Sequence, residues 1–232
     1  MLLRVVLYFL LIISPLAAND PFTLKDNLGK AKIGDYIVAA QNKTYTLMRI
    51  NEKGPDSITI EEISIPQVRV GKGMIWRSWI NQGFPGNTNR VISNVQLSSG
   101  RMQNSYSVTQ NAWLDLSQGN QILSNLLNLP LYILPPEARK RCGPSPGLGH
   151  PDRRPFWQPR MVVEGQVIPQ INFFAYRTRW PQDGGPMSSR MIDLYIPEDS
   201  ERYPAYFPYW IEVHGVSGSK ASVRVIDSGS CK

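Results

Sequence analysis

Chemistry needs side chains that titrate, ligate or attack, and this sequence is sparing with them: it carries two histidines and two cysteines in 232 residues. His150 stands in Gly149-His150-Pro151-Asp152-Arg153-Arg154, where imidazole and carboxylate could share a metal or act as a base and its orienting partner. A metal site needs three or four ligands with supporting groups, and the neighbouring sequence offers no further donor, so neither metal nor cofactor is expected. His214 alternates with Glu212 and Trp210 on one strand face, so any acid–base partner must come from a distant part of the chain. No G-x-S-x-G elbow presents a serine nucleophile, and Ser217-Gly218-Ser219 reads as a turn. Gly71-Lys72-Gly73 lacks the spacing and the following helix of a phosphate loop. The reading that follows is non-enzymatic, with a cell-envelope hydrolase built on His150 or His214 as its alternative.

The binding candidates are aromatic and cationic. Trp76 and Trp79 frame Ile75-Trp76-Arg77-Ser78-Trp79-Ile80, Trp180 closes Tyr176-Arg177-Thr178-Arg179-Trp180, and Tyr206, Phe207, Tyr209 and Trp210 crowd a proline-held stretch. Exposed rings beside arginines can stack on sugars, bases or lipid edges; the competing role for the same rings is to plug the open end or edge of a sheet. Residues 135–160 hold seven prolines and six Lys/Arg, among them Arg139, Arg141, Arg153 and Arg154, against Glu137 and Asp152, a net of +4. So many prolines deny ladder hydrogen bonds, so an extended, solvent-facing connection is expected there. Cys142 and Cys231 could pair in an oxidising compartment, closing a loop that would contribute about 4 kcal/mol, or remain two unrelated thiols.

These groups must be positioned by strands. Period-2 alternation predicts hairpins over 35–40 and 44–50, over 90–97 and 101–108, and over 161–163 and 166–168, with further strands at 57–65, 171–180, 190–196, 210–213 and 221–226. Within 57–65 the phase of Ile58 and Ile60 changes at Glu61-Glu62 before Ile63 and Ile65, which predicts a β-bulge there and puts the two carboxylates on different sides. Ser117 as N-cap and Ile122, Leu123, Leu126 and Leu127 as an apolar face predict one helix around 117–128, stopped by Pro130; a shorter helical turn is expected at 23–30. The fold class is mainly β with a little α: an antiparallel curved sheet, half-barrel or sandwich built from hairpins. Period-2 patterning is the same in all of these. A single sheet running through both halves is expected, because neither half has strands enough to bury two faces.

The address comes from the first residues. Arg4 precedes an unbroken apolar run, Val5–Ile13, and Ser14-Pro15-Leu16-Ala17-Ala18 supplies a break and small residues. This is the pattern of a cleaved secretory signal peptide and too short to span a bilayer. The expectation is a signal peptide over 1–18, a single β-rich domain over 19–232 working in the periplasm or outside the cell, and no membrane-spanning segment after cleavage. Removing Arg4 takes the net charge from +7 to +6, spread along the chain rather than gathered in the stripe that nucleic-acid binding uses.

Gly34-Asp35-Tyr36-Ile37-Val38, Asn42-Lys43-Thr44-Tyr45-Thr46, Trp76–Trp79, Arg177-Thr178-Arg179-Trp180-Pro181 and Tyr206-Phe207-Pro208-Tyr209-Trp210 together resemble a family of uncharacterised exported proteins of chlamydia-like intracellular bacteria. The resemblance implies an envelope or periplasmic address and carries no activity. In architecture, strands in hairpins with a short apolar helix look like the curved-sheet carriers that shuttle lipoproteins through the periplasm, a likeness of fold alone. The expected function is an exported binding or envelope-associated module for a lipid, another apolar ligand or an envelope protein. A secreted effector that meets anionic membranes through the basic segment is the other reading.

Overall fold

The computed structural model describes residues 21–116, 122–147, 149–185, 187–216 and 222–231, and the structural statements below are made of these. The apolar segment 1–18, Ser117 at the expected helix start and the Ser217-Gly218-Ser219 turn lie outside them.

The chain opens with α1 (Leu24–Leu28), whose first turn is fastened by the Thr23 amide and hydroxyl donating to Asp26. The hairpin of β1 (Asp35–Gln41) and β2 (Thr44–Lys53) follows, turning on Asn42 and Lys43 at φ 46° and 65°, the double left-handed turn that matches strand twist. Next come β3 (Ser57–Pro66), α2 (Trp76–Asn81), β4 (Asn89–Gln96), β5 (Met102–Ser107), β6 (Ala112–Trp113), α3 (Ile122–Asn128) and β7 (Tyr132–Ile133). The second half contains β8 (Met161–Val163), β9 (Gln166–Ile168), β10 (Phe173–Arg179), β11 (Met191–Pro197), β12 (Trp210–Val213) and β13 (Ser222–Ser230). Eleven strands make one antiparallel sheet in the order β6-β5-β4-β3-β2-β1-β13-β12-β11-β10-β7, and β8–β9 is a separate hairpin. The halves join where β1 pairs with β13, and the terminal strands β6 and β7 do not pair with each other, so the sheet is open rather than a closed barrel or a sandwich. The strands expected from alternation are all present. The helix α2 and the two-residue edges β6 and β7 carry too little periodicity to be read, and Trp76-Arg77-Ser78-Trp79 is helical with both rings buried.

Both faces of the first half are buried. One bears Ile37, Ala39, Met48, Ile50, Ile58 and Ile60, packed with Leu24 and Leu28 of α1, Leu126 and Leu127 of α3, and Tyr203, Tyr206 and Tyr209. The other bears Tyr36, Val38, Leu47, Ile63 and Ile65 under Trp76, Trp79 and Ile80 of α2. A six-residue helix has little stability of its own, so α2 is held by its buried rings, each worth about 1.5–3 kcal/mol or more in removed apolar surface.

This two-sided burial corrects the expected bulge. Across Glu61-Glu62 the pairing of β3 with β4 runs without interruption, and the irregularities lie instead in β2 at Ile50/Glu52 and in β4 at Asn94/Val95. The apolar phase changes because β3 feeds one core with Ile58 and Ile60 and the opposite core with Ile63 and Ile65, by ordinary alternation. Glu61 thus faces α2 and is 0% exposed. It is held by Arg49 Nη2 at 2.5 Å on β2 and by Arg90 Nε at 2.7 Å on β4. Phe84 lies 5.3 Å below both guanidiniums and edge-on to Trp79, which keeps its backbone at φ 63°, a costly place for a phenylalanine.

The β8–β9 hairpin is stapled to β13 by Glu164 N to Ser228 O (2.8 Å) and Gly165 N to Asp227 Oδ1 (3.0 Å). Gly229 is required there: a Cβ would stand 2.8 Å from Tyr36 and Glu164. Burial raises the carboxyl of Asp227, and burial together with the Asp227 charge raises the phenol of Tyr36.

Cys142 and Cys231 are both free thiols, so the bond considered from sequence is not made. Cys142 is exposed on the 135–160 segment, whereas Cys231 ends β13 against the α2 core.

Two outcomes follow from this packing. Glu61→Ala leaves two guanidiniums facing each other in a half-buried site and should cost about 3–5 kcal/mol in urea unfolding; a loss below about 1 kcal/mol would contradict the clamp. Alkylation at neutral pH should modify exposed Cys142 well before Cys231, whose thiol is raised by burial, and the gap should narrow as pH rises; mass spectrometry of timed digests reads both rates.

Candidate functional site

The strands of the second half pair so that charged and aromatic side chains meet on the sheet face opposite the main core. Arg177 on β10 lies directly across from Asp193 on β11, and Asp193 directly across from Glu212 on β12. Arg177 grips Asp193 with Nε at 2.6 Å and Nη2 at 2.8 Å, and His214 Nε2 lies 3.0 Å from Asp193 Oδ2. The Asp193 bond holds the Arg177 guanidinium yet more firmly protonated. Glu212 pairs with Lys140 at 3.4 Å, and that ammonium sits 5.0 Å over the Trp157 ring. Trp157 in turn meets Tyr195 and Trp210 edge-on at 5.2 and 5.1 Å.

The proline-rich segment is largely exposed, as expected of it, but it is pinned to this face at several points rather than running free. Arg141 and Phe156 form an isolated bridge, Trp157 N donates to Lys140 O (2.8 Å) and Cys142 N to Pro155 O (2.9 Å). Arg139 and Arg141 both lie 4.4 Å from the Phe156 ring centre. Asp152 is bound by Arg154 through two hydrogen bonds of 3.0 and 2.8 Å and approached by Arg141; the Arg154 hydrogen bond brings its carboxyl down to about 2. Prolines deny this segment a ladder, but arginine–carbonyl bonds, such as Arg154 Nη1 to Gly143 O at 2.6 Å, replace it.

The sequence-derived candidates separate on these coordinates. Trp76, Trp79, Trp180, Tyr206 and Tyr209 are all 7% exposed or less, which matches the packing role weighed for them rather than a binding surface. Trp180 Nε1 donates to Asp183 (2.7 Å), Tyr206 to Met48 O (3.0 Å) and Tyr209 to Ser228 (2.9 Å), so their polar ends are spent inside the protein. Phe207 and Trp210 are half-buried, Arg141 and Arg154 are held within their own segment, and Arg139 donates to Phe173 O on β10 (3.2 Å), which leaves Arg153 exposed. His150 is exposed, and Asp152 beside it serves the arginines, so the pair of base and orienting carboxylate is not formed there. His214 does have an orienting carboxylate, but among the described residues no serine, threonine or cysteine side chain hydrogen-bonds to it, and no three His, Cys, Asp or Glu side chains are grouped as metal ligands. As it stands, the Arg177–Asp193–His214 set is an electrostatic clamp across three strands. Sequence reading missed Arg177, Asp193 and Trp157, because their meeting depends on strand order and on the path of the 135–160 segment.

Beside the clamp lies an open cleft of about 460 Å³ at the β7–β10 edge, lined by Tyr132, Ile133, Pro135 and Met191 with Arg177 and Arg179. β7 pairs with β10 only at Tyr176 and Arg177, and its two side chains are the most exposed in this region, Tyr132 at 57% and Ile133 at 63%. Ile133 shares a face with Tyr176, whose ring adjoins that of Phe174, itself 41% exposed. No helix of the described residues is long and apolar enough to cross a membrane.

No curated protein matches the chain. Its fold is similar to a solved structure, at 2.0 Å resolution, of the hypothetical protein CT021 from Chlamydia trachomatis, with a TM-score of 0.61 at 15% identity over 90% of this chain and 93% of that one. The family model described as CT021 protein matches residues 46–169, which run from β2 through β9 and make up more than half of the chain. With the resemblance read from its motifs thus borne out, the chain belongs to the CT021 protein family.

Proposed function

We propose that this protein is an exported, non-enzymatic binding module of the cell envelope, and that it takes an extended, apolar and acidic segment of a partner protein at the β7–β10 edge. The observation that carries this reading is the exposure of Tyr132 and Ile133 along a cleft rimmed by Arg177 and Arg179. Apolar side chains gathered at a sheet edge mark a contact surface, since an uncovered edge otherwise invites unspecific pairing. The rim arginines and the net charge of +6 left after signal-peptide cleavage favour a partner of opposite sign.

Two alternatives lose support by comparison. A lipid carrier needs an apolar cavity, and the space between the sheet and its helices is filled by Leu24, Leu28, Leu126, Leu127 and Tyr206, each 2% exposed or less. Adsorption to anionic membranes needs free cations, yet of the six on the 135–160 segment Arg139, Lys140, Arg141 and Arg154 are engaged within the protein. Export rests on the signal-peptide pattern of residues 1–18.

Two experiments test this. Expressed with its own N-terminus in a Gram-negative host, the protein should appear in the periplasmic fraction beginning at Asn19; a chain that stays in the cytoplasm with Met1 in place would end the envelope reading. For the edge, a photo-crosslinking residue at Ile133 should trap one discrete partner protein in cells of the native organism. The same group at Val68, 88% exposed on another surface, should trap none. Adding Arg179→Glu should cut the adduct about tenfold, the equivalent of about 1.4 kcal/mol. Equal trapping at both positions, no trapping at Ile133, or indifference to Arg179→Glu would overturn the assignment.

A further inference from the structure

Two adjacent glutamates on β3 meet opposite fates. Glu61, on the α2 side, has two arginines. Glu62, on the main-core side, has no hydrogen bond and no ion pair among the described residues, although it is only partly exposed. The strand register names its surroundings. Glu62 lies across from Met48 on β2 and Val91 on β4, and the next inward-facing positions are Thr46 on β2, Ser64 on β3, Ser93 on β4, and Ser105 and Ser107 on β5. These side chains are small and mostly hydroxylic, and none titrates. Ser93, Ser105 and Ser107 are 7%, 2% and 1% exposed. Thr46 pairs with Ser64 at 3.2 Å and Ser93 with Ser105 at 2.7 Å, while Ser105 also donates to Met102 Sδ (2.8 Å) and Ser107 accepts from Gln110 N (3.1 Å); a hydroxyl oxygen has two lone pairs, so each retains at least one for a further donor.

An ionised carboxylate with no donor is a cost that a folded chain rarely carries without return. The register gathers acceptor oxygens around it, a setting too poor in charge for a divalent cation, which takes six or more oxygens and several carboxylates. An ammonium fits: three donors on one compact cation, for one carboxylate and two or three hydroxyls. We propose that the niche around Glu62, at the polar end of the main-core face between β2 and β5, is a binding site for a primary ammonium group, from a free amine or from a lysine side chain. It lies on the opposite sheet face from the clamp at Arg177 and does not depend on the edge cleft.

Burial pushes the Glu62 carboxyl up. A carboxyl raised in the folded state destabilises the fold where it is ionised, and this cost fades as pH falls through the raised value toward the ordinary carboxylate range. In ligand-free protein Glu62→Gln should therefore melt higher than wild type at pH 8, and the two should converge toward pH 4.

The test measures melting temperature and calorimetric binding with n-butylammonium chloride, the peptide Gly-Lys-Gly blocked by N-terminal acetylation and C-terminal amidation and, at equal ionic strength, tetramethylammonium chloride. A saturable rise in wild-type melting temperature with n-butylammonium or with Gly-Lys-Gly, absent with tetramethylammonium and weakened at least tenfold in Glu62→Gln, supports the site. A response to n-butylammonium alone identifies a free amine as the source, and a response to the peptide identifies a lysine side chain. Ser93→Ala, which removes the hydroxyl with little change in volume, should weaken the same response while leaving the Glu62→Gln stabilisation intact. No response to either amine, equal responses in wild type and Glu62→Gln, or an equal response to tetramethylammonium would overturn it.

Discussion

Glu61 has no exposed surface and stands between guanidiniums from the strands on either side of it. Removing an ion from water costs several kcal/mol, and that cost is recovered only while both arginines stay in place. The clamp therefore sets the register of β2, β3 and β4 together, since a one-residue slip of β3 would carry Glu61 into the main core and Ile58 and Ile60 out of it. Phe84 packs beneath both arginines and against Trp79, so the same ions seat the turn that follows α2. The far face of the first half is in this way closed by a six-residue helix with little stability of its own.

The second half meets the same need, burial of both sheet faces, by different means. β11 is buried at six of its seven positions, because one face packs on the main core and the other lies under Trp157 and the pinned 135–160 segment. A cross-strand clamp of the same polarity recurs there: a carboxylate, Asp193, is shared by Arg177 and His214 near the surface rather than in the core. Exposure is the difference that matters. Glu61 is sealed and serves the fold, whereas the Asp193 set borders the edge where Tyr132 and Ile133 remain uncovered. The one inward carboxylate of β3 that lacks a partner, Glu62, sits where small side chains leave acceptor oxygens together.

Membership in the CT021 protein family and the shared open-sheet architecture place these features on a scaffold common to proteins of low sequence identity. An open sheet has two ends to protect. At one, Trp113 packs edge-on to Tyr106 and stays 69% exposed; at the other, β7 covers β10 at only two residues. The proposed partner surface lies at the second end, where apolar exposure and arginines coincide.

Alternation along the strands was enough, from sequence, to place the hairpins, the mainly β class, the short helix before Pro130 and the family motifs, because a side-chain period of two is written locally. What alternation does not encode is which face each strand buries against, and the misread bulge came from there. The phase change at Glu61-Glu62 read as a bulge because one core was assumed, and it is resolved once Ile58 and Ile63 are seen to enter different cores. The tryptophans of α2 read as surface candidates because a six-residue helix carries no period of its own, while the 135–160 segment read as free because its fastening depends on arginines reaching carbonyls and rings. The meetings of Arg177 with Asp193 and His214, and of Arg49 and Arg90 with Glu61, were decided by tertiary structure alone. Opposite charges attract at whatever sequence separation the strand order brings them within about 3 Å, and strand order is a property of the whole sheet.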